Sequence, residues 1–320
     1  MAIDLRGLKY FNAIATIGSF TKAADELYVA QPALSLHIKK MEEELGVLLL
    51  ERTSKGVSPT AAGLRLLAHS QDILARIKAA CEDVRDSGAE PTGTLAFGMP
   101  QSAGIALTVR LVRESLKRWP KLRLQVVESP TGHTPALLVN RILDQGITFL
   151  EDKNSSLLRY RALIKEELVL LGPPGVLGPG HDLDQMPSID FHSLAGLKFC
   201  LPSPRQGQRQ LIERYLNQSK VVLKVLAEVD GIAQLLSLVS EGLGYTILTY
   251  SAVRDALQEG IISAARIVNP RILRQVYLCR LQDVPASSAM LAVEALIVNI
   301  VKELVREGVW IGQIPKGKYT

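Results

Sequence analysis

Between Asp86 and Gly93 the hydrophobic period of this chain changes, and no single layer of secondary structure accommodates both periods. From Leu5 to about Arg85, apolar residues recur at three- and four-residue steps, interrupted only by the stretch "RTSKGVSPT". Beyond Gly93, strand-type runs alternate with helical ones: "TLAFGM" (94–99), "LRLQVVE" (122–128), "ITFL" (147–150), "EELVLLG" (166–172), "LKFCL" (197–201), "LKVLAEV" (223–229), "YTIL" (245–248) and "RQVYLCRL" (274–281). The segment between the two parts, "DSGAEPTG", is small, polar and Pro/Gly-bearing, and reads as a linker. At 320 residues the chain exceeds one ordinary core, so a helical N-terminal part and a separate α/β part are expected. Regular strand–helix alternation predicts parallel sheets with covering helices. The Pro/Gly-rich "GPPGVLGPG" (172–180) directly follows a strand and is read as a surface loop within a lobe.

Within the helical part, "FTKAADELYVAQPALSLHIKKMEEELGVLLLER" holds two helical patterns close together. Ser19 is a good N-cap for the first. Gln31-Pro32 opens the second, and Gly46 ends it. Leu34, Ile38, Met41 and Leu45 make an inward stripe, leaving Gln31, Ser35, His37, Lys39 and Lys40 on the other side. A short second helix with small polar groups early and lysines later suits a DNA major groove, where N-terminal residues reach base edges and Lys positions the helix on phosphates. An amphipathic hairpin with an ordinary solvated face satisfies the same periodicity. What favours the first reading is "LLLERTSKGVSPTAAG": strand, tight basic turn, strand, then helix, with Arg52 and Lys55 placed like those of a wing that reaches phosphates or a minor groove.

Residues 5–64 resemble the DNA-binding domain of LysR-type transcriptional regulators. The likeness rests on Phe11, "GSFTKAA", "AQPALS", the helix end "EEELG", and "ER" plus "TAAG" closing the wing. Two positions depart from the family: Leu36 stands where Arg or another polar residue is frequent, and Leu50 where Phe is usual. The resemblance implies a winged helix–turn–helix over 1–60, with Gln31, Pro32, Ser35, Leu36, Lys39, Arg52 and Lys55 on double-stranded DNA. It implies a dimerising linker helix over 61–88, and Leu64, Leu67, Leu74, Ile77, Cys81 and Val84 supply an apolar seam for it.

More weakly, 92–310 resembles the family's effector domain: two α/β lobes similar to periplasmic solute-binding proteins, here 92–162 with 270–310 and 163–269. "EVDGIAQLLSLVSEGLGYTILTYSAV" and "EELVLLGPPG" look most like the nitrogen-assimilation-control branch. Thr148 stands where the family commonly has Asp. In open α/β sheets ligands bind beyond the carboxyl ends of strands. That rule selects Gln101, Ser102, Ser129, Thr131 and Gly132 in the first lobe, and Ser203, Arg205 and Thr249 in the second. Ser102 and Thr131 match the family's effector contacts best, although Ser and Thr at such junctions are commonly helix caps. The resemblance implies a homodimer or homotetramer sensing a small effector, expected to be anionic, with RNA polymerase as a further partner.

Composition bounds the alternatives. The net charge of +5 is a mild basic bias, and 47 % apolar residues allow well-packed interiors. "MAIDLRGLKYF" shows no signal-peptide pattern, no apolar run reaches membrane-span length, and three scattered cysteines fit a reducing cytoplasm. There is no GxGxxG, P-loop, HExxH or GxSxG, and of the five histidines only His133 falls near the predicted cleft. No enzyme, cofactor, metal or membrane association is expected. A small-molecule-sequestering protein whose N-terminal helices only mediate oligomerisation remains the rival reading.

Overall fold

The computed structural model describes residues 3–53, 56–85, 90–130, 132–151, 156–178 and 185–315. The chain divides into two units, residues 1–89 with 284–287 and residues 90–283 with 288–320.

Three helices open the first unit: α1 (Leu5–Ile17), α2 (Phe20–Leu27) and α3 (Gln31–Leu45). Asp4 caps α1 by accepting the Gly7 N–H at 2.7 Å, and Ser19 caps α2 through the Lys22 N–H at 3.4 Å. α3 has no side-chain cap; Pro32 occupies its first turn, where a missing N–H costs nothing, and Gly46 closes it at φ +69°. Phe11, Ile14, Ala23, Leu34, Ile38 and Met41 meet in one core. Leu45, expected to extend that stripe, is exposed, because it lies at the end of α3 past the last buried member. His37, expected on the polar side, is half-buried: three residues after Leu34 and four before Met41, it flanks the packed face. Its ring meets Tyr10 edge-on at 5.4 Å, and Nε2 stands 3.6 Å from Asp4.

The wing is β1 (Leu50–Thr53) paired antiparallel with β2 (Gly56–Pro59); Ser54 and Lys55 lie outside the described residues. Glu42 ties it to α3 by accepting the Leu49 and Leu50 N–H groups at 2.8 and 3.1 Å. Val57 N–H donates to Gly18 O at 2.9 Å, anchoring the second strand to the end of α1. Thr60 caps α4 (Ala61–Arg85) through the Gly63 N–H at 3.0 Å. Ala62, Leu66 and Leu67 of α4 pack on the core, while Leu64, Ile73 and Cys81 are exposed. Ile73 thus joins the outward apolar side, and the Val84 side chain lies outside the described ones.

The second unit begins β3 (Gly93–Met99), α5 (Gln101–Arg118), β4 (Leu122–Glu128), α6 (Thr134–Val139), β5 (Gln145–Thr148) and β6 (Leu158–Gly172). It continues β7 (Ser188–Asp190), β8 (Lys198–Leu201), α7 (Gly207–Ser219), β9 (Lys224–Glu228), α8 (Ile232–Ser240) and β10 (Thr246–Thr249). It ends α9 (Arg254–Gln258), β11 (Ser263–Val268), β12 (Leu273–Leu281), α10 (Ser288–Arg306) and β13 (Gly312–Gln313). In one lobe, β3 lies between β4 and β5 and parallel to both, while β12 and then β6 continue the sheet antiparallel. β6 then leaves this lobe. Its residues 158–167 pair with β12, and 168–172 run between β10 and β11 in the other lobe. There β7 extends β11, and the parallel pair β8–β9 joins through Tyr245, just before β10. β6 and β12 are therefore the two crossover strands.

The expected all-parallel sheets are mixed instead. A chain that enters the second lobe on β6 must return on β12, so each sheet contains strands of both directions. β7, β11, β13 and the first half of β6 carried no clear strand signal: in "LRYRALIK" the charges at Arg159, Arg161 and Lys165 keep no regular period of two. Cys200 and Cys279 are buried, and burial pushes both thiols up, Cys279 to about 12, so these two pack as small apolar groups. Among the described residues no His/Cys/Asp/Glu group is arranged for a metal, and no helix is long and apolar enough to cross a membrane.

Candidate nucleic-acid interface and inter-lobe cavity

The outer side of α3 is not simply bare. Gln31 Nε2 donates to Ser35 Oγ at 2.9 Å, an i,i+4 pair that fixes both side chains on one helix turn. The amide oxygen of Gln31 and the hydroxyl proton of Ser35 remain for a further partner. Beside them Pro32 and Lys39 are exposed, and Leu36 is 55 % exposed. Lys39 reaches Glu43 at 3.7 Å, an exposed pair of small energetic weight. Arg52 sits on β1 opposite Val57. Together these positions offer an acceptor, a donor, an apolar contact and a cation. Tyr28, passed over in the sequence as part of a break, closes α2 with φ +54° and is 95 % exposed. An aromatic in the turn before a polar-faced helix was the available signal.

In the second unit, the ends of β3 and β4 and the loops opening α7 and α8 enclose a cavity of about 440 Å³, at the carboxyl ends of parallel strands. Gln101, Ser102 and Ser129 line it. Gln101 Oε1 crosses between the lobes to accept the Ile232 N–H at 3.1 Å, capping α8 from the opposite side. Ser102 Oγ accepts from Arg274 at 3.1 Å, and Ser129 Oγ shares a 2.7 Å bond with Thr134. Thr131 lies outside the described residues. Gly132, Ser203, Arg205 and Thr249 do not line the cavity. Gly132 forms a turn at φ +91°, Arg205 is exposed, and Thr249 Oγ1 donates to buried Glu166 at 2.6 Å. His133 is likewise exposed.

The charged groups in the described wall are Glu128 and Asp230, with neither Lys nor Arg among them, so this cavity offers no cation to the anionic effector expected from sequence. Ser203 holds Asp230 through its N–H (2.8 Å) and its hydroxyl (3.2 Å). The backbone N–H is the largest cause that keeps this carboxyl below the usual Asp range. Its contribution to stability is therefore complete above the ordinary Asp pKa and fades as pH falls through the lowered one. In a carboxyl NMR titration Asp230 is expected below the unfolded-peptide value of about 3.9. Ser203→Ala should retain most of that lowering, and a return to the peptide value would overturn the backbone assignment.

Sequence reasoning missed the polar knot between the lobes. Arg274 on β12 (3 % exposed) bonds Glu166 on β6 (1 % exposed) at 2.6 Å, Gln208 on α7 at 3.2 Å and Ser102 on α5, and its guanidinium lies 3.6 Å over the Phe149 ring. Glu166 also accepts from Trp310 Nε1 at 2.8 Å. Both charged residues sit in strand runs, where alternation reads them as solvent-facing.

Residues 5–64 match the family model described as bacterial regulatory helix-turn-helix protein, lysR family, and residues 88–302 match the LysR substrate binding domain. The nitrogen assimilation regulatory protein nac of Escherichia coli (strain K12) is 30 % identical over 308 residues, spanning 95 % of this chain and 97 % of its own length. A full-length single-residue variant of OxyR from Pseudomonas aeruginosa has the same fold with TM-score 0.76 at 22 % identity, covering 99 % of both chains. Full-length CbnR complexed with its target DNA gives TM-score 0.63 at 21 % identity, covering 94 % of this chain and 99 % of that one.

Proposed function

Because the chain belongs to the LysR family of bacterial transcriptional regulators, we propose that it reads operator DNA with the outer side of α3 and couples that reading to a small molecule held between its two lobes. Gln31, Pro32, Ser35 and Leu36 face base edges, Lys39 a phosphate, and Arg52 and Lys55 the backbone or minor groove; the Tyr28 hydroxyl takes another phosphate. The observation that carries this is the Gln31–Ser35 pair, a donor–acceptor couple held ready at the N-terminal turn of α3. CbnR, which shares the fold, was solved on its target DNA.

The winged domain is assigned to 1–60, the dimerising helix to 61–88 and the effector domain to 92–310, with lobes 92–162 plus 270–310 and 163–269. Leu64 and Ile73, exposed on α4, suit a helix paired with a second copy. In the inter-lobe cavity Gln101, Ser102 and Ser129 contact the effector, with Thr131 assigned to it from the sequence alone, while Ser203 positions Asp230. Closure of the lobes on that molecule shifts the population of two arrangements of a cytoplasmic dimer or tetramer, changing DNA bend and access for RNA polymerase. The protein works without catalysing a reaction.

Ser35→Ala should weaken operator binding by about 1–3 kcal/mol while leaving binding to random duplex nearly unchanged. Lys39→Ala should weaken both and reduce the salt slope by about one. Gel-shift titrations across salt concentrations read both effects, and equal losses on operator and random DNA for Ser35→Ala would remove that residue from base reading.

A further inference from the structure

α3 turns two different rows of side chains outward. Leu34, Ile38 and Met41 are buried in the core of the first unit, and position 36 lies about 200° around the helix from both 34 and 38. Leu36 therefore points away from that core and is 55 % exposed. Pro32, four residues earlier, and Lys40, four residues later, are exposed on the same side. Pro32, Leu36 and Lys40 thus form one row, and Gln31, Ser35 and Lys39 form the next. In that second row Gln31 Nε2 donates to Ser35 Oγ at 2.9 Å, and Lys39 reaches Glu43 at 3.7 Å.

The two rows ask for different partners. A leucine exposed on a protein surface is ordinary by itself. This one adjoins the Gln31–Ser35 pair, in the part of α3 that reaches base edges in a helix–turn–helix. Major-groove edges offer donors and acceptors at every base pair, and one apolar group, the C5 methyl of thymine. 5-Methylcytosine carries the same methyl on the same ring carbon. Leucine has neither donor nor acceptor in its side chain, so against other base edges it would cover polar atoms without bonding them. Against a methyl it buries apolar surface on both sides.

We propose that Leu36 reads the C5 methyl of a pyrimidine in the operator. The chain then distinguishes thymine from uracil, and 5-methylcytosine from cytosine, at one base pair for each bound α3. This rests on the reading of α3 as the DNA-contacting helix and adds which base feature that helix selects. It also gives the departure at position 36 a chemical meaning: an arginine there would bond guanine O6 and N7, and a leucine cannot.

Duplexes enriched by the full chain from a random library supply the probe. In the best-bound duplex, thymines are exchanged one at a time for uracil, which removes one methyl and leaves the pairing edge intact. Gel-shift titration should find one position per bound α3 where uracil costs about fourfold in affinity, the worth of one buried methyl. With cytosine at that position, methylation of its C5 should gain about the same factor. Leu36→Ala changes an exposed side chain, so its circular-dichroism melt should match the parent, and its loss on uracil should fall below about twofold. Leu36→Arg, put through the same selection, should favour guanine at that base pair. The proposal is overturned if every thymine tolerates uracil, or if the sensitive position stays as sensitive in Leu36→Ala, which would give the methyl to Pro32. If no duplex is enriched, the DNA-reading assignment fails and this inference falls with it, a result distinct from an enriched duplex indifferent to its methyls.

Discussion

Arg274→Ala should cost the two-lobed unit about 3 kcal/mol or more, the largest single-residue loss expected there. Breaking a buried ion pair by removing one partner typically costs about 3–5 kcal/mol, because the surviving charge stays buried. Glu166 would keep two neutral donors, Thr249 at 2.6 Å and Trp310 at 2.8 Å, which places the loss near the lower end. Gln208 and Ser102 would each lose the guanidinium that now bonds them, and Phe149 the cation stacked on its ring. For a unit of this size the melting temperature should fall by roughly 6–12 °C. Arg274→Lys keeps the charge but not the planar fork, so an intermediate loss is expected. The pair Arg274→Met/Glu166→Gln should recover much of the stability, since no unmatched charge remains. A change below about 0.5 kcal/mol for Arg274→Ala would show that the knot is not what holds the crossover strands.

Gly63→Ala should be the most damaging substitution in the first unit, and with it operator binding should disappear. A Cβ at residue 63 would stand 2.0 Å from the Leu49 carbonyl oxygen and 3.1 Å from Pro59 Cβ. The Leu49 backbone cannot move aside freely: its N–H is held by Glu42 at 2.8 Å and its carbonyl accepts the Thr60 N–H at 3.0 Å. The first turn of α4 would have to lift off the base of the wing, at a cost of about 3 kcal/mol or more. Gly46 supplies the contrast. Nothing lies within 4 Å of a Cβ there, and only the φ of +69° opposes a side chain, so Gly46→Ala should cost about 1 kcal/mol. Denaturant unfolding followed by helix content, with a gel shift on the same samples, separates the two. Equal stabilities would mean that α4 and the wing yield to the clash.

The N-terminal unit was legible because its signals are local. The Ser19 cap, Pro32, the buried run Leu34, Ile38 and Met41, and the closing Gly46 each act within one or two turns of chain. The same short range explains the errors. His37 flanks the packed stripe, and only the approach of Tyr10 and Asp4 from α1 decides that it turns inward. In the second unit the strand ends after β3 and β4 were legible, and Gln101, Ser102 and Ser129 do line a cavity there. Ser203 and Thr249, chosen by the same rule, spend their hydroxyls on Asp230 and Glu166, partners 27 and 83 residues away.

Residue order alone determined the helix pair with its wing, the change of period near residue 90 and the alternation that builds two α/β lobes, because caps, turns and periodicity act between near neighbours in the chain. Tertiary structure alone decided which polar residues meet: Arg274 with Glu166 across 108 residues, and with Ser102 across 172. It also decided that the described wall of the inter-lobe cavity carries Glu128 and Asp230, since the sign of a wall depends on which distant side chains are brought to it.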